Sequence, residues 1–197
     1  MLQQLCERLS RYKPPASPVD AAVLIALTRE PVPRVLLTKR AGHMNSHAGE
    51  VAFPGGKCDA ADLSVVATAL REAHEEVGLL PRDVKIIGEL GVFTSRVGLK
   101  VKPIVGLLDT LPELTGNPEE IDSIFTVPLD FFLQQPPSYD HKIKFMGMNV
   151  AVPSFNYQGY VIWGLTGYMI VELLRRVYDH ECRGAQLQLP GLCDLGP

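Results

Sequence analysis

Three glutamates, Glu72, Glu75 and Glu76, stand at i, i+3 and i+4 in the run Arg71-Glu72-Ala73-His74-Glu75-Glu76-Val77-Gly78-Leu79. On a helix advancing about 100° per residue they fall within a sector of roughly 100°. Val66, Leu70, Ala73 and Val77 gather on nearly the opposite side, so the helix has one apolar face and one face of carboxylates. Like charges at these spacings repel, and the helix alone gains nothing from them. Arg71 offsets part of the repulsion through Glu75, its i+4 partner. A hard divalent cation, Mg²⁺ or Mn²⁺, resolves the rest, because such ions take oxygen ligands and bridge to phosphate oxygens. The chemistry this suggests is metal-assisted hydrolysis of a diphosphate, with water as the nucleophile.

The flanking residues support that reading over an ordinary solvated helix face. Gly78 stands where a helix is commonly ended. Upstream, Phe53-Pro54-Gly55-Gly56 forms a turn in which the backbone can approach closely, so the carbonyl of Gly56 joins the candidate metal ligands. Lys39, Arg40, His43 and His47 lie together just before this turn and are candidate phosphate contacts. His74 reads as a surface residue between the glutamates, Trp163 as a core or loop anchor, and Cys58 as loop filler. Attack by water needs no covalent nucleophile.

The elements that must position these groups follow from periodicity and turn chemistry. Val19 to Leu27, Arg34 to Thr38 and Val51 to Phe53 read as strands, and Asp62 to Val77 as the carboxylate helix. Val84 to Phe93, Leu99 to Leu108 and Ile121 to Val127 read as further strands, followed by a helical turn over Leu129 to Leu133. Ile143 to Val152 and Tyr160 to Ile162 suggest a late β-ribbon. Leu165 to His180 closes the domain as a helix with Leu165, Met169, Leu173 and Val177 on one stripe. Residues 1–18 are expected to form an N-terminal helix, with Leu2, Leu5 and Leu9 at helical spacing, and a Pro-rich linker. The catalytic domain is expected over residues 19–181, with a loosely held tail over 182–197. Strands, helix, strands, helix within one unit is not doubly wound alternation; it predicts an α+β fold with a mixed sheet between helices.

Composition narrows the class. The chain has 197 residues, 46% hydrophobic and 21% charged, with a net charge of −3, an ordinary globular balance that invites neither nucleic acid nor an anionic membrane. Glu7, Arg8 and Arg11 interrupt what would be the apolar core of a signal peptide. No run approaches the roughly 20 apolar residues of a membrane span. Cys6, Cys58, Cys182 and Cys193 are scattered, without zinc spacing or a disulfide framework, so free thiols and a cytoplasmic location are expected.

Arg71 to Leu79 fits R-E-U-x-E-E-x-G-U, with U aliphatic, at every fixed position, and on these residues the chain resembles the Nudix hydrolases. The full Nudix box places a Gly fourteen residues before the Arg, with a Glu between them. Here Gly56 lies fifteen residues before Arg71, and Leu63 holds the Glu position with Asp62 beside it. The longer loop, with Leu36-Leu37-Thr38-Lys39-Arg40-Ala41, Gly49 and Phe53-Pro54-Gly55-Gly56, resembles the signature of coenzyme A pyrophosphatases, L-L-T-x-R-[SA]-x3-R-x3-G-x3-F-P-G-G. One position departs: Asn45 stands where the signature has its second Arg.

The resemblance implies a Nudix-type α/β/α sandwich. It also implies Mg²⁺- or Mn²⁺-dependent cleavage of coenzyme A or its derivatives to adenosine 3′,5′-bisphosphate and a 4′-phosphopantetheine compound. Glu72, Glu75, Glu76 and the Gly56 carbonyl are the expected metal ligands, and Glu75, Glu76 and Glu120 the catalytic candidates. Lys39, Arg40, Asn45 and His47 are expected to contact the substrate, with Arg71, Gly55 and Gly78 supporting the site. A homodimer is one assembly compatible with this reading. Asn45 leaves open a Nudix hydrolase for another nucleoside diphosphate compound, such as ADP-ribose, a dinucleotide or a sugar nucleotide. A non-catalytic Nudix-like binding module is the third reading, but such proteins usually lose box carboxylates, and all three are present here.

Overall fold

A computed structural model describes residues 2–44, 46–145 and 147–178. Asn45, His180, Cys182, Cys193 and the expected tail over 182–197 lie outside the described residues. The chain opens with helix α1 (Leu2–Arg11), followed by strands β1 (Ala21–Thr28), β2 (Arg34–Arg40), β3 (Val51–Ala52) and β4 (Gly55–Lys57). Helix α2 (Val65–Val77) leads to β5 (Val84–Glu89), β6 (Phe93–Thr94), β7 (Lys100–Leu108) and β8 (Ile121–Pro128). Helix α3 (Leu129–Gln134), strands β9 (Ser138–Phe145), β10 (Met148–Tyr157) and β11 (Tyr160–Trp163), and helix α4 (Gly164–Tyr178) complete it.

The main sheet runs β3-β2-β1-β7-β5, with β4 on β1, β6 on β7 and β8 on β2. It is mixed: β1 and β7 are parallel in register from Ala21↔Val101 to Thr28↔Leu108, and the other pairs are antiparallel. Strand β1 explains the layering. Its even positions Ala22, Leu24 and Ala26 pack with Ala69, Ala73 and Val77 of α2. Its odd positions Ala21, Ile25 and Leu27 pack in the opposite core with Leu5 and Leu9 of α1 and Met169, Leu173 and Val177 of α4. Alternation of side chains across a strand therefore places a helix layer on each face, the expected α/β/α arrangement.

Three expectations change in detail. Helix α2 begins at Val65 rather than Asp62, because the Ser64 side chain accepts from the Ala67 N–H and caps the first turn. The stretch read as one strand over 84–93 divides into β5 and β6, with Leu90 buried between them. The late ribbon has three strands, β11-β10-β9, the first paired from Ser154↔Trp163 and the second from Met148↔Phe145. Tyr160 of this ribbon stacks on Phe125 of β8 with ring centroids 3.7 Å apart, and the Thr166 hydroxyl donates to the Val51 carbonyl. Ribbon and α4 are thus clamped to the edge of the sheet beside β3.

Candidate active site

The C-terminal half of α2 carries the carboxylates. Gly78 ends the helix in the left-handed region, φ 72°, and its N–H reaches back to the carbonyls of Ala73 and His74. The backbone N–H groups of Thr115 and Asn117 cover the carbonyls of Val77 and Glu76 at 3.1 and 2.8 Å. The helix end is therefore anchored to the loop that leads to Glu120.

The three box glutamates meet three environments. Glu76 is 3% exposed. Its Oε2 accepts the Gly55 N–H at 3.1 Å, and its Oε1 faces Arg40 Nη1 at 3.5 Å. Burial pushes its carboxyl up to about 7, against the opposing pull of the Gly55 N–H and Arg40, while Glu120 and Glu72 raise it further. Burial also raises Glu72; Arg71 opposes this and the charges of Glu75 and Glu120 add to it. Glu75 turns outward, with its side chain 56% exposed and held by Arg71 Nη1 at 3.0 Å.

Arg71 organises the other side of the helix. It reaches Glu72, Glu75, the Lys57 carbonyl and both oxygens of Asp62, but not Glu76. Arg40, a residue of β2, faces Glu76 instead, with its buried Nε lacking a partner among the described residues. Leu63, at the position of the expected Glu, is 98% exposed. Asp62 takes the guanidinium in its place and also accepts the Thr68 hydroxyl at 2.8 Å. The signal for this in the sequence was the acidic residue beside the vacant motif position.

Gly55 and Gly56 were read as a turn, and the structure makes them part of strand β4, paired with Val23 and Ala22 of β1. A side chain at Gly55 would strike the Ala22 carbonyl, and one at Gly56 would occupy the place of the Glu72 carboxylate. The two glycines thus let α2 bring its glutamates against the sheet edge.

A cavity of about 790 Å³ opens here. Its polar lining includes Arg40, His47, Gly55, Gly56, Glu72, Glu76 and Glu120. Its apolar lining includes Phe53, Leu99, Val101, Phe145, Trp163 and Leu165. Glu75 and Lys39 lie outside it. Lys39, one position before Arg40 on β2, turns instead to Asp122 of β8 with Nζ–Oδ2 at 2.8 Å. His43 contacts the Glu119 carbonyl at 3.0 Å, and His47 pairs with Glu50 at 2.7 Å.

The donor set suits a hard cation. The charge of Glu120 raises the carboxyl pKa of both Glu72 and Glu76, and carboxylate oxygens are those that such an ion prefers. Among the described residues no three such side chains form a ready-made metal cage; Arg40 faces Glu76 and Arg71 faces Glu72. Among the described residues no helix is long and apolar enough to cross a membrane.

Comparison with known proteins gives the family. The model of the NUDIX domain matches residues 18–147. A protein of Photorhabdus laumondii described as an uncharacterized Nudix hydrolase NudL is 43% identical over 157 residues, 80% of this chain and 84% of that one. A protein of the same description from Enterobacter sp. (strain 638) is 43% identical over 158 residues, 80% of this chain and 82% of that one. The crystal structure of a MutT/nudix family protein from Enterococcus faecalis superposes with a TM-score of 0.52 at 15% identity, over 91% of this chain and 70% of that one. At that identity the likeness is one of fold. A helix presenting the complete R-E-x-x-E-E-x-G run against a glycine strand, within a chain matched over most of its length, leaves one family: this protein belongs to the Nudix hydrolases and is a pyrophosphohydrolase.

Proposed function

We propose that the protein hydrolyses the diphosphate linkage of coenzyme A or its derivatives with Mg²⁺ or Mn²⁺, giving adenosine 3′,5′-bisphosphate and a 4′-phosphopantetheine compound. The observation that carries this is the mixed lining of one cavity, in which Glu72, Glu76 and Glu120 share the wall with Phe53, Leu99, Val101, Phe145, Trp163 and Leu165. A diphosphate bearing a long, weakly polar arm fits that mixed lining. The upstream signature around Phe53-Pro54-Gly55-Gly56 supports the same substrate.

In this reading Glu72, Glu76 and the Gly56 carbonyl hold the cation. When bound, the cation neutralises charge developing on the diphosphate and acidifies the attacking water. The chain does the rest. Arg71 fixes Glu72, the Gly55 N–H and Arg40 fix Glu76, and Glu120, on the cavity wall, accepts the proton of water as its oxygen attacks phosphorus. The bond from phosphorus to the bridging oxygen then breaks. Glu75 restrains Arg71 from the solvent side.

Asn45, in place of the signature Arg, favours a second reading: another nucleoside diphosphate-linked compound. A kinetic screen with Mg²⁺ and Mn²⁺ over coenzyme A, acyl-coenzyme A, ADP-ribose and diadenosine compounds, with products identified, separates the two. Coenzyme A compounds are expected to give the highest kcat/KM. A preference for ADP-ribose or a dinucleotide by tenfold or more overturns the first reading in favour of the second.

A further inference from the structure

We infer that Lys142 and Lys144 on β9, with Arg96 on the loop between β6 and β7, form a second anion subsite that reads a phosphate monoester remote from the scissile diphosphate. The inference rests on the coenzyme A reading and deepens it. It also moves the expected contact away from the cations that precede the box.

Those upstream cations are engaged elsewhere. Lys39 is bound to Asp122 and lies off the cavity, Arg40 faces Glu76, and His47 is paired with Glu50. Arg96, Lys142 and Lys144 line the same cavity, and their side chains make no hydrogen bond or ion pair among the described residues. Lys142 and Lys144 are two positions apart on one strand, so they share a face. Across the ladder they stand opposite Ala151 and Asn149, neither of which carries charge. Asp140, the next residue on that face, accepts the Ser138 hydroxyl and forms no ion pair with either lysine. The two lysines repel one another, and an anion between them converts that cost into two charge-assisted bonds.

Placement adds the second argument. Arg96, Lys142 and Lys144 stand on the 94–99 loop and the ribbon, whereas Glu72 and Glu76 stand on α2 and Glu120 on the loop before β8. A dianion beside α2 meets those carboxylates and needs a cation to be held there. The cavity therefore has two anion sites of different kind: one read through metal and carboxylates, the other through free ammonium and guanidinium groups. Substrate specificity beyond the diphosphate is assigned to the second.

The test compares coenzyme A with dephospho-coenzyme A in the wild type, Lys142→Gln/Lys144→Gln and Arg96→Gln. The wild type is expected to favour coenzyme A by roughly ten- to a hundredfold in kcat/KM, the worth of one to two charge-assisted contacts. In the double variant that ratio should fall toward one, chiefly through KM for coenzyme A, and competitive inhibition by adenosine 3′,5′-bisphosphate should weaken in parallel. Lys142→Arg/Lys144→Arg should keep the ratio, which separates lost charge from a disturbed ribbon. A double variant with the wild-type ratio overturns the inference, most clearly if Lys39→Gln abolishes that ratio. Equal slowing of both compounds also overturns it. A wild type that cleaves neither compound but cleaves ADP-ribose removes the coenzyme A reading itself, and the inference with it.

Discussion

Arg71 grips Asp62 with both arms of its guanidinium: Nε donates to Oδ1 and Nη2 to Oδ2, each at 3.0 Å. The Asp62 side chain is 8% exposed, and the guanidinium holds its carboxyl well below the usual carboxylate range. Because the same guanidinium also touches Glu72 and Glu75, Asp62 sets the position of the charge that orders the helix face. Asp62→Asn should weaken metal binding by roughly 10- to 100-fold, as loss of a group behind a ligand does. Leu63→Glu, at an exposed position, should not rescue it. Calorimetric titration with Mg²⁺ checks both. The pH sign follows from the depressed carboxyl: the stability advantage of wild type over Asp62→Asn is full above the unfolded range near pH 4 and fades as pH falls below it.

Gly56 should tolerate no side chain, and for a local reason. Its backbone lies outside the left-handed region, so Ala imposes no backbone strain, but the methyl group would occupy the place of the Glu72 carboxylate. Gly56→Ala should therefore fold and lose metal affinity by roughly 10- to 100-fold. Matched circular dichroism with unchanged Mg²⁺ affinity would exclude Glu72 as a ligand pressed against this glycine.

Glu76 supplies a pH signature in metal-free protein. Its carboxyl is raised from 4.5 to about 7, chiefly by burial. Between those values the folded state keeps a proton that the unfolded chain releases, so stability falls as pH rises through that window. At about 1.4 kcal/mol per pKa unit the loss is on the order of a few kcal/mol. Urea unfolding in EDTA at pH 5 and pH 8 should show this decline in wild type and a flatter profile in Glu76→Gln. An equal decline in both would assign it to other groups.

The helix and its carboxylates were legible in the sequence because a 3.6-residue period places charge and apolar residues on separate faces whatever the surroundings. The layers followed from runs such as β1, apolar on both faces. Strand β4 was not legible: Gly55 and Gly56 carry no side-chain pattern, and their pairing with β1 rests on backbone groups alone. The division of labour among cations was hidden as well. Lys39 and Arg40 are adjacent in sequence, yet one turns to Asp122 and the other to Glu76. Lys142 and Lys144 join the cavity only through the fold, about seventy residues downstream of the box.

The central claim is that a cation held by Glu72 and Glu76 drives diphosphate hydrolysis, and one comparison tests it most directly. Glu76→Gln keeps the side-chain shape and removes the charge, so its kcat/KM at saturating Mg²⁺ should be measured against wild type with the substrate the screen identifies. Several kcal/mol of transition-state charge stabilisation amount to about three decades in rate. The account predicts a fall of roughly 10³-fold or more with the fold intact by circular dichroism. A folded Glu76→Gln enzyme that turns over within a few-fold of wild type would contradict it.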